Sequence, residues 1–474
     1  MPILSRQPVG ISDVVAVARA ADKVSFAAVT ERDLRLSRAI VEAALAADAP
    51  VYGLNRELGA GRDVAVSTDE LEEFQRRTIR NSSGGIGEPL PVEQARAVIY
   101  TRLVGFSRGG AGVTLELARQ YAELLNRSVD VVIPRTGSVG AADLTQLAAV
   151  AAVASGGGRV LVDGVIVPGA DALAAAGLDA VTLAPHEALA SLSGNSYSVG
   201  VGALVLHDLA RIVNASDLVV ALSVSATGGN PSPFSPPVQS AHRSVGQAAS
   251  AARVRALLLP GAEAASVQDP VSFRAAPQVH GAFAEAVTSA AASVTLELNS
   301  STENPLVDLE SGQLVSGGNF QVVGLSLAFE QLRLALGHVA ATSERRTARI
   351  SGLAAGARRA GETRVPGLLW YSAAAALAEV KALANPVSLT VTPLSEGVED
   401  HSSNAALALQ LLERSAALTR TVLAIEAVSA AEYVLLHPGI ALSQPLQQVV
   451  SLVSSSLDLH ADGLVAAVEA HLFA

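Results

Sequence analysis

The sequence predicts a mainly α-helical protein, a bundle of long helices behind a loop-rich N-terminal part. Three observations carry this. Half of the residues are hydrophobic while aromatics make up only 3%; alanine dominates, which suits close-packed helices and lacks the side chains that strands favour. The stretch Asn404 to Leu436 keeps a helical period through Leu407, Leu411, Leu418, Val422, Ile425 and Val428. Ser402 or Ser403 can cap it, Pro438-Gly439 ends it, and its length is roughly 45 Å. Glycine-rich loops gather before residue 195, after which the chain reads as almost continuous helix. The expected division is therefore a helical and loop domain over 1–195 and a long-helix bundle over 196–474, in a 474-residue chain too long for one simple core.

In chain order, Ile11 to Ala49 alternates short apolar and charged groups and reads as helical, with Thr30 as an N-cap ahead of acidic residues. Val51 to Gly59 and Arg80 to Leu90 are glycine-bearing and read as loops. Between them a helix carries Leu71, Phe74 and Gln75. Helices follow at Pro91 to Val104, where the proline suits a first turn, and at Thr114 to Asn126. The stretch Pro134 to Leu147 feeds an apolar helix, Leu144 to Ala154. Arg159 to Gly169 is β-branched and glycine-bounded, which predicts a hairpin. Gly228 to Pro237 is read as loop. No fixed-period repeat occurs.

The net charge is −11 and no Lys/Arg block exists, so nucleic acid and anionic membranes are poor partners. The mean hydropathy is +0.38, high for a soluble protein. The longest apolar runs, Leu144 to Gly158 and Val199 to Leu206, are too short or interrupted to span a bilayer, which needs about 20 residues. Cysteine is absent, which removes disulfide, thiolate and cysteine-based metal chemistry. Together with the lack of an apolar core in Met1 to Gly10, this leads to the expectation of a cytoplasmic protein. His207, His242, His280 and His338 show no metal-ligand spacing.

The run Gly137-Ser138-Val139-Gly140-Ala141-Ala142-Asp143-Leu144 resembles the signature of histidine and phenylalanine ammonia-lyases, Gly-Ser-Val-Gly-Ala-Ser-Gly-Asp-Leu. Val51-Tyr52-Gly53-Leu54-Asn55-Arg56-Glu57-Leu58-Gly59 resembles a second family loop. Val267 to Arg274, Pro277 to Gly281, Asn299 to Leu306, Ser316 to Gln321, Ser343 to Arg346 and Glu399 to His401 follow in the family's order over about residues 50 to 405. The resemblance implies an ammonia-lyase-like long-helix bundle, a homotetramer with pockets shared between subunits, and a small-molecule substrate. It implies Tyr52 as general base and Arg274 as the carboxylate-binding residue, a task suited to a guanidinium fork. Gln268, Asn319, Gln321 and Glu399 match polar residues that line or support the pocket; buried polar groups at helix ends would look alike in sequence. Glu344-Arg345-Arg346 is read as structural.

The departures cluster at the same site. In the family, Ala-Ser-Gly cyclises and loses two waters to give the electrophile MIO (4-methylidene-imidazol-5-one). Here only Ala141-Ala142 stands between Gly140 and Asp143, so no MIO cofactor is expected. The family's second catalytic tyrosine falls on Val271. The asparagine that holds the MIO oxygen falls on Ser193, with Asn195 two residues on, and a substrate-reading histidine falls on Ser82. Arg56, Glu57 and Arg80 are new charges on the pocket loops and are candidates for binding a polar substrate. Ala154-Ser155-Gly156 repeats the tripeptide at the end of an apolar helix, where such residues are ordinary C-terminal chemistry.

Three functions are expected from these residues. The first is MIO-independent lyase or cyclase chemistry, by acid and base, on a small carboxylate-bearing, conjugated or activated substrate. The second is a catalytically silent homologue that binds a ligand or assembles with an active relative. The third is a true aromatic amino acid ammonia-lyase.

Overall fold

The computed structural model describes residues 2–261, 264–390 and 392–474. The chain is mainly helical, and its longest helices are Ser196–Thr227, Ala276–Leu298, Val323–Leu353 and Ala405–Leu436. Two compact units form, one of residues 1–207, 291–327 and 387–409 and the other of residues 208–290, 328–386 and 410–474. This differs from a single break near residue 195, because each of the four long helices contributes residues to both units. A chain division read from loop density cannot see a helix that serves two cores.

In the first unit, helix Val92–Ser107 is buried from Gln94 onward. Most of its residues are apolar, and the polar ones beyond Glu93, including Arg96, Thr101 and Arg102, are buried with them. Helices Ile11–Arg19 and Leu115–Asn126 pack against it. Arg102 on this helix is fully buried; it donates to Glu303 at 2.9 Å and to the Ala190 carbonyl at 2.6 Å, with its guanidinium 4.5 Å from the Phe106 ring centroid. A charge removed from water in this way survives because it is paired and hydrogen-bonded. The expected hairpin is Arg159–Val162 paired antiparallel with Val165–Pro168. Its two-residue turn, Asp163-Gly164, has φ of +48° and +80°, the left-handed pair that matches strand twist.

Several local expectations are corrected. The helix expected over Ile11 to Ala49 is broken into Ile11–Arg19 and Ala28–Ala46 by the short strand Ser25–Phe26, which pairs with Ile3–Leu4. Thr30 lies inside the second helix, whose N-cap is Ala27; its hydroxyl donates to the Leu4 carbonyl at 2.9 Å, fixing that strand instead. Pro236 and Pro237, expected in a loop, open the helix Pro236–Ala241, since proline lacks only an amide the first turn leaves unpaired anyway. The segment 187–227 is long and apolar enough to cross a membrane, although no run was expected to be, and 72% of its apolar window is buried within the protein.

The second unit is built of helical segments around buried ion pairs. Arg346 and Glu426, both fully buried, meet through two nitrogens and two oxygens at 2.5 and 2.8 Å, and the Ser223 hydroxyl donates to the same carboxylate at 2.6 Å. Asp217 accepts from Ser250 at 2.6 Å and Arg253 at 2.7 Å and lies 2.8 Å from His280 Nδ1.

Candidate active site

The loop that resembles the catalytic signature is held from three sides within the first unit. Asn404 N donates to the Val139 carbonyl (2.8 Å), the Ser403 hydroxyl to the Gly140 carbonyl (3.0 Å), and Asp143 N to the Gly194 carbonyl (2.8 Å). Gly140 has φ of +88°, and a Cβ there would stand 2.1 Å from Ser403 Oγ, so only glycine fits. Ala142 takes φ of +61° and Ala141 bridges the backbone of Gln321. Asp143, buried, accepts from the Ser138 hydroxyl at 2.7 Å and from Ser198 N at 2.9 Å. Burial raises its pKa, against hydrogen bonds from the Ser198 amide and the Ser138 hydroxyl.

Ala141 and Ala142 form part of the wall of a cavity of about 600 Å³. Leu58, Leu144, Leu189, Leu192 and Phe320 give it an apolar lining; Tyr52, Arg62, Asp63, Ser193 and Glu399 bring polar groups to it. Such a volume and mixture suit a small molecule with a few fixed polar groups. Tyr52 is half-buried, and its hydroxyl oxygen accepts the Gly59 amide at 3.0 Å. Burial raises the phenol pKa; the Gly59 amide opposes this, the Glu399 charge reinforces it, and the Arg62 charge opposes it. Burial likewise raises the Glu399 carboxyl.

Of the residues singled out in the sequence, Tyr52, Ser82, Ser193 and Glu399 line this cavity. Ser193 Oγ is already used, accepting Asn304 N at 2.9 Å. Asn195 is buried beside the cavity's supports, its amide donating to the Phe320 carbonyl at 2.7 Å, and it lines a separate small void with Arg102 and Thr302. Gln321 contacts His401 Nδ1 at 3.0 Å, and Asn319 donates to the Ser301 carbonyl at 3.3 Å. Arg56 donates to the Asn55 carbonyl, Glu57 pairs with Arg77, and Arg80 stands 3.7 Å from Glu73; none of the three is among the lining residues. Gln268 and Arg274 are exposed residues of the second unit and do not line it either. Sequence reading missed Arg62 and Asp63, two charges that line the wall together with Glu399. The signal was present, since they directly follow the glycines of the Tyr52 loop.

Residues 9–455 match the aromatic amino acid lyase family, and the chain belongs to it. It is 36% identical over 444 residues to the histidine ammonia-lyase of Gloeobacter violaceus, covering 91% of this chain and 86% of that one. Among solved structures it resembles the ergothioneine-degrading ergothionase of Treponema denticola, in complex with desmethyl-ergothioneine sulfonic acid, with a TM-score of 0.92, 25% identity and coverage of 99% and 98%. It also resembles the histidine ammonia-lyase of Trypanosoma cruzi, with a TM-score of 0.88, 26% identity and coverage of 99% and 92%.

The group expected of such a family, MIO, would have to form in place from the chain. Between Gly140 and Asp143 there is no hydroxyl to eliminate and no glycine amide to close a ring, so the residues present do not fit it. The second Ala-Ser-Gly tripeptide is spent as a helix end. Ser155 is the C-cap of helix Leu144–Ala154 with its hydroxyl bonded to the Ala151 carbonyl at 2.8 Å, Gly156 N donates to the Val153 carbonyl at 3.0 Å, and the Ala154 carbonyl accepts Val181 N at 3.0 Å.

Proposed function

We propose that the chain is a lyase that eliminates a leaving group from a small carboxylate-bearing substrate by acid–base chemistry, without MIO. One observation carries this reading: Tyr52 and the pair Ala141-Ala142 line the same cavity, so the base is kept where the precursor of the electrophile is missing. Tyr52, as phenolate, takes a proton from carbon; the electron pair released forms the C=C bond, and the leaving group departs with the electrons of the bond to it. A positioned base of this kind contributes roughly 10² to 10⁴-fold. That is enough only when the substrate brings its own activation. Ergothioneine is a betaine whose trimethylammonium group departs as a neutral amine, so it or a related betaine meets the need. A conjugated acid that isomerises or cyclises meets it as well. By the family resemblance and the apolar long helices, we further propose a homotetramer.

A second reading, release of ammonia from histidine, is favoured by the name and the 36% identity of the Gloeobacter relative. It requires an electrophile from Ala154-Ser155-Gly156, which here closes a helix.

The intact mass together with substrate assays tests both readings. The expected mass is that of the translated sequence, apart from removal of Met1, with trimethylamine or another leaving group released from a betaine or activated acid and no urocanate formed from histidine. Tyr52→Phe should lower turnover at least about tenfold. A mass short by two waters with steady urocanate production establishes the second reading. Parent and Tyr52→Phe chains that both bind ligand and turn over nothing would identify a silent homologue.

A further inference from the structure

We propose that Arg62 determines the specificity of this site, its guanidinium holding the carboxylate of an acid substrate beside the Tyr52 hydroxyl. The inference rests on the reading of the cavity as the substrate site. Among the described residues that line the cavity, Arg62 is the only cation. Its nearest carboxylate is that of the adjacent Asp63, at 3.9 Å and 92% exposed, too far for a hydrogen bond. The side chain of Arg62 is itself 51% exposed, which leaves its donors to a ligand. A guanidinium presents paired N–H groups that match the two oxygens of a carboxylate.

Position gives the second argument. Gly59 N donates to the Tyr52 oxygen at 3.0 Å, and the Gly59 carbonyl accepts Arg62 N at 3.1 Å. One residue therefore ties the base to the turn that carries the cation. That turn is seated closely, since a Cβ on Gly59, at φ of +57°, would lie 2.2 Å from Ser395 Oγ. An acid held by Arg62 thus presents its neighbouring carbons to a base anchored on the same turn. The charge of Arg62 also lowers the Tyr52 pKa against the effect of burial, an influence that a bound carboxylate would offset. Asp63 and Glu399, which also line the cavity, disfavour a second anion and suit a cationic amine or betaine head. The substrate class is accordingly a monocarboxylate, with or without a cationic nitrogen.

Binding of trans-cinnamate and of its uncharged analogue cinnamamide to the full chain, measured by calorimetry or ligand-observed NMR, tests this apart from turnover. The parent should prefer the acid by about tenfold, the worth of one charge-assisted contact. Arg62→Gln should bind both compounds equally, and Arg62→Lys should keep part of the preference, because an ammonium supplies charge without the fork. Arg62 is exposed, so its replacement should leave the fold intact, and circular dichroism checks this. An acid preference undiminished in Arg62→Gln overturns the assignment; if the preference is lost in Arg274→Gln instead, the carboxylate belongs to Arg274 and the proposed function stands. Failure of the parent to bind either compound overturns both the assignment and the reading of the cavity on which it rests.

Discussion

Tyr52 sits between opposed influences: burial and Glu399 raise its pKa, while the Gly59 amide and Arg62 lower it. Burial is the largest of these, so the phenol titrates above its ordinary value of 10.0. A base is active when deprotonated, so kcat/KM limited by Tyr52 should rise about tenfold per pH unit throughout the range below its pKa. The neighbours then shift the profile in opposite directions. Glu399→Gln removes a negative charge, lowers the Tyr52 pKa and should move the rise to lower pH; Arg62→Gln should move it to higher pH. Measured pH profiles of both variants check this, and a profile that neither variant moves would show that Tyr52 is not the titrating base.

Among the elements, the 137–143 loop depends on how it is seated more than on its own sequence. Gly140 combines φ of +88° with a Cβ direction blocked by Ser403 Oγ at 2.1 Å and Asn404 N at 2.9 Å. Gly140→Ala should therefore cost more than about 1 kcal/mol of stability, which is what incompatible backbone geometry typically exceeds. It should also lower activity by displacing Ala141 and Ala142 from the cavity wall. Thermal denaturation and turnover measured together check both effects. Ser403→Ala in the same chain should recover only part of the loss, because the Asn404 amide, being backbone, remains. An unchanged melting temperature would mean that the loop is free to move off residues 403–405.

For the whole molecule, the long helices raise the question of what covers them. On Val323–Leu353, Leu327 and Leu334 are 54% and 55% exposed; seven residues apart, they lie on one face of the helix. In the proposed homotetramer such side chains would be buried between subunits, each full burial of a leucine contributing about 1.5 to 3 kcal/mol. Sedimentation should show a tetramer at micromolar concentration, and Leu327→Glu with Leu334→Glu should dissociate it. A well-folded parent monomer under those conditions would contradict the assembly.

The loop expected over Arg80 to Leu90 is in part the end of helix Leu71–Ser82 and the strand Ile86–Pro89, whereas the sequence by itself determined the family, the helical class and the Tyr52 loop. These rest on local chemistry: apolar period defines helices, glycine and proline define turns, and motifs in order define kinship. Leu144–Ala154, the hairpin at 159–168 and the helix from 405 to 436 were legible for that reason. The identity of Tyr52 as a cavity residue was legible too, through its loop. Tertiary structure alone decided which charges face the cavity. Arg56, Glu57 and Arg80 were as conspicuous in the sequence as Arg62, yet they are engaged by the Asn55 carbonyl, Arg77 and Glu73, respectively. Whether a loop charge turns toward solvent, a neighbour or a ligand depends on partners distant in the chain. The same holds for the division into units, because a long helix carries no local mark where one core ends and the next begins.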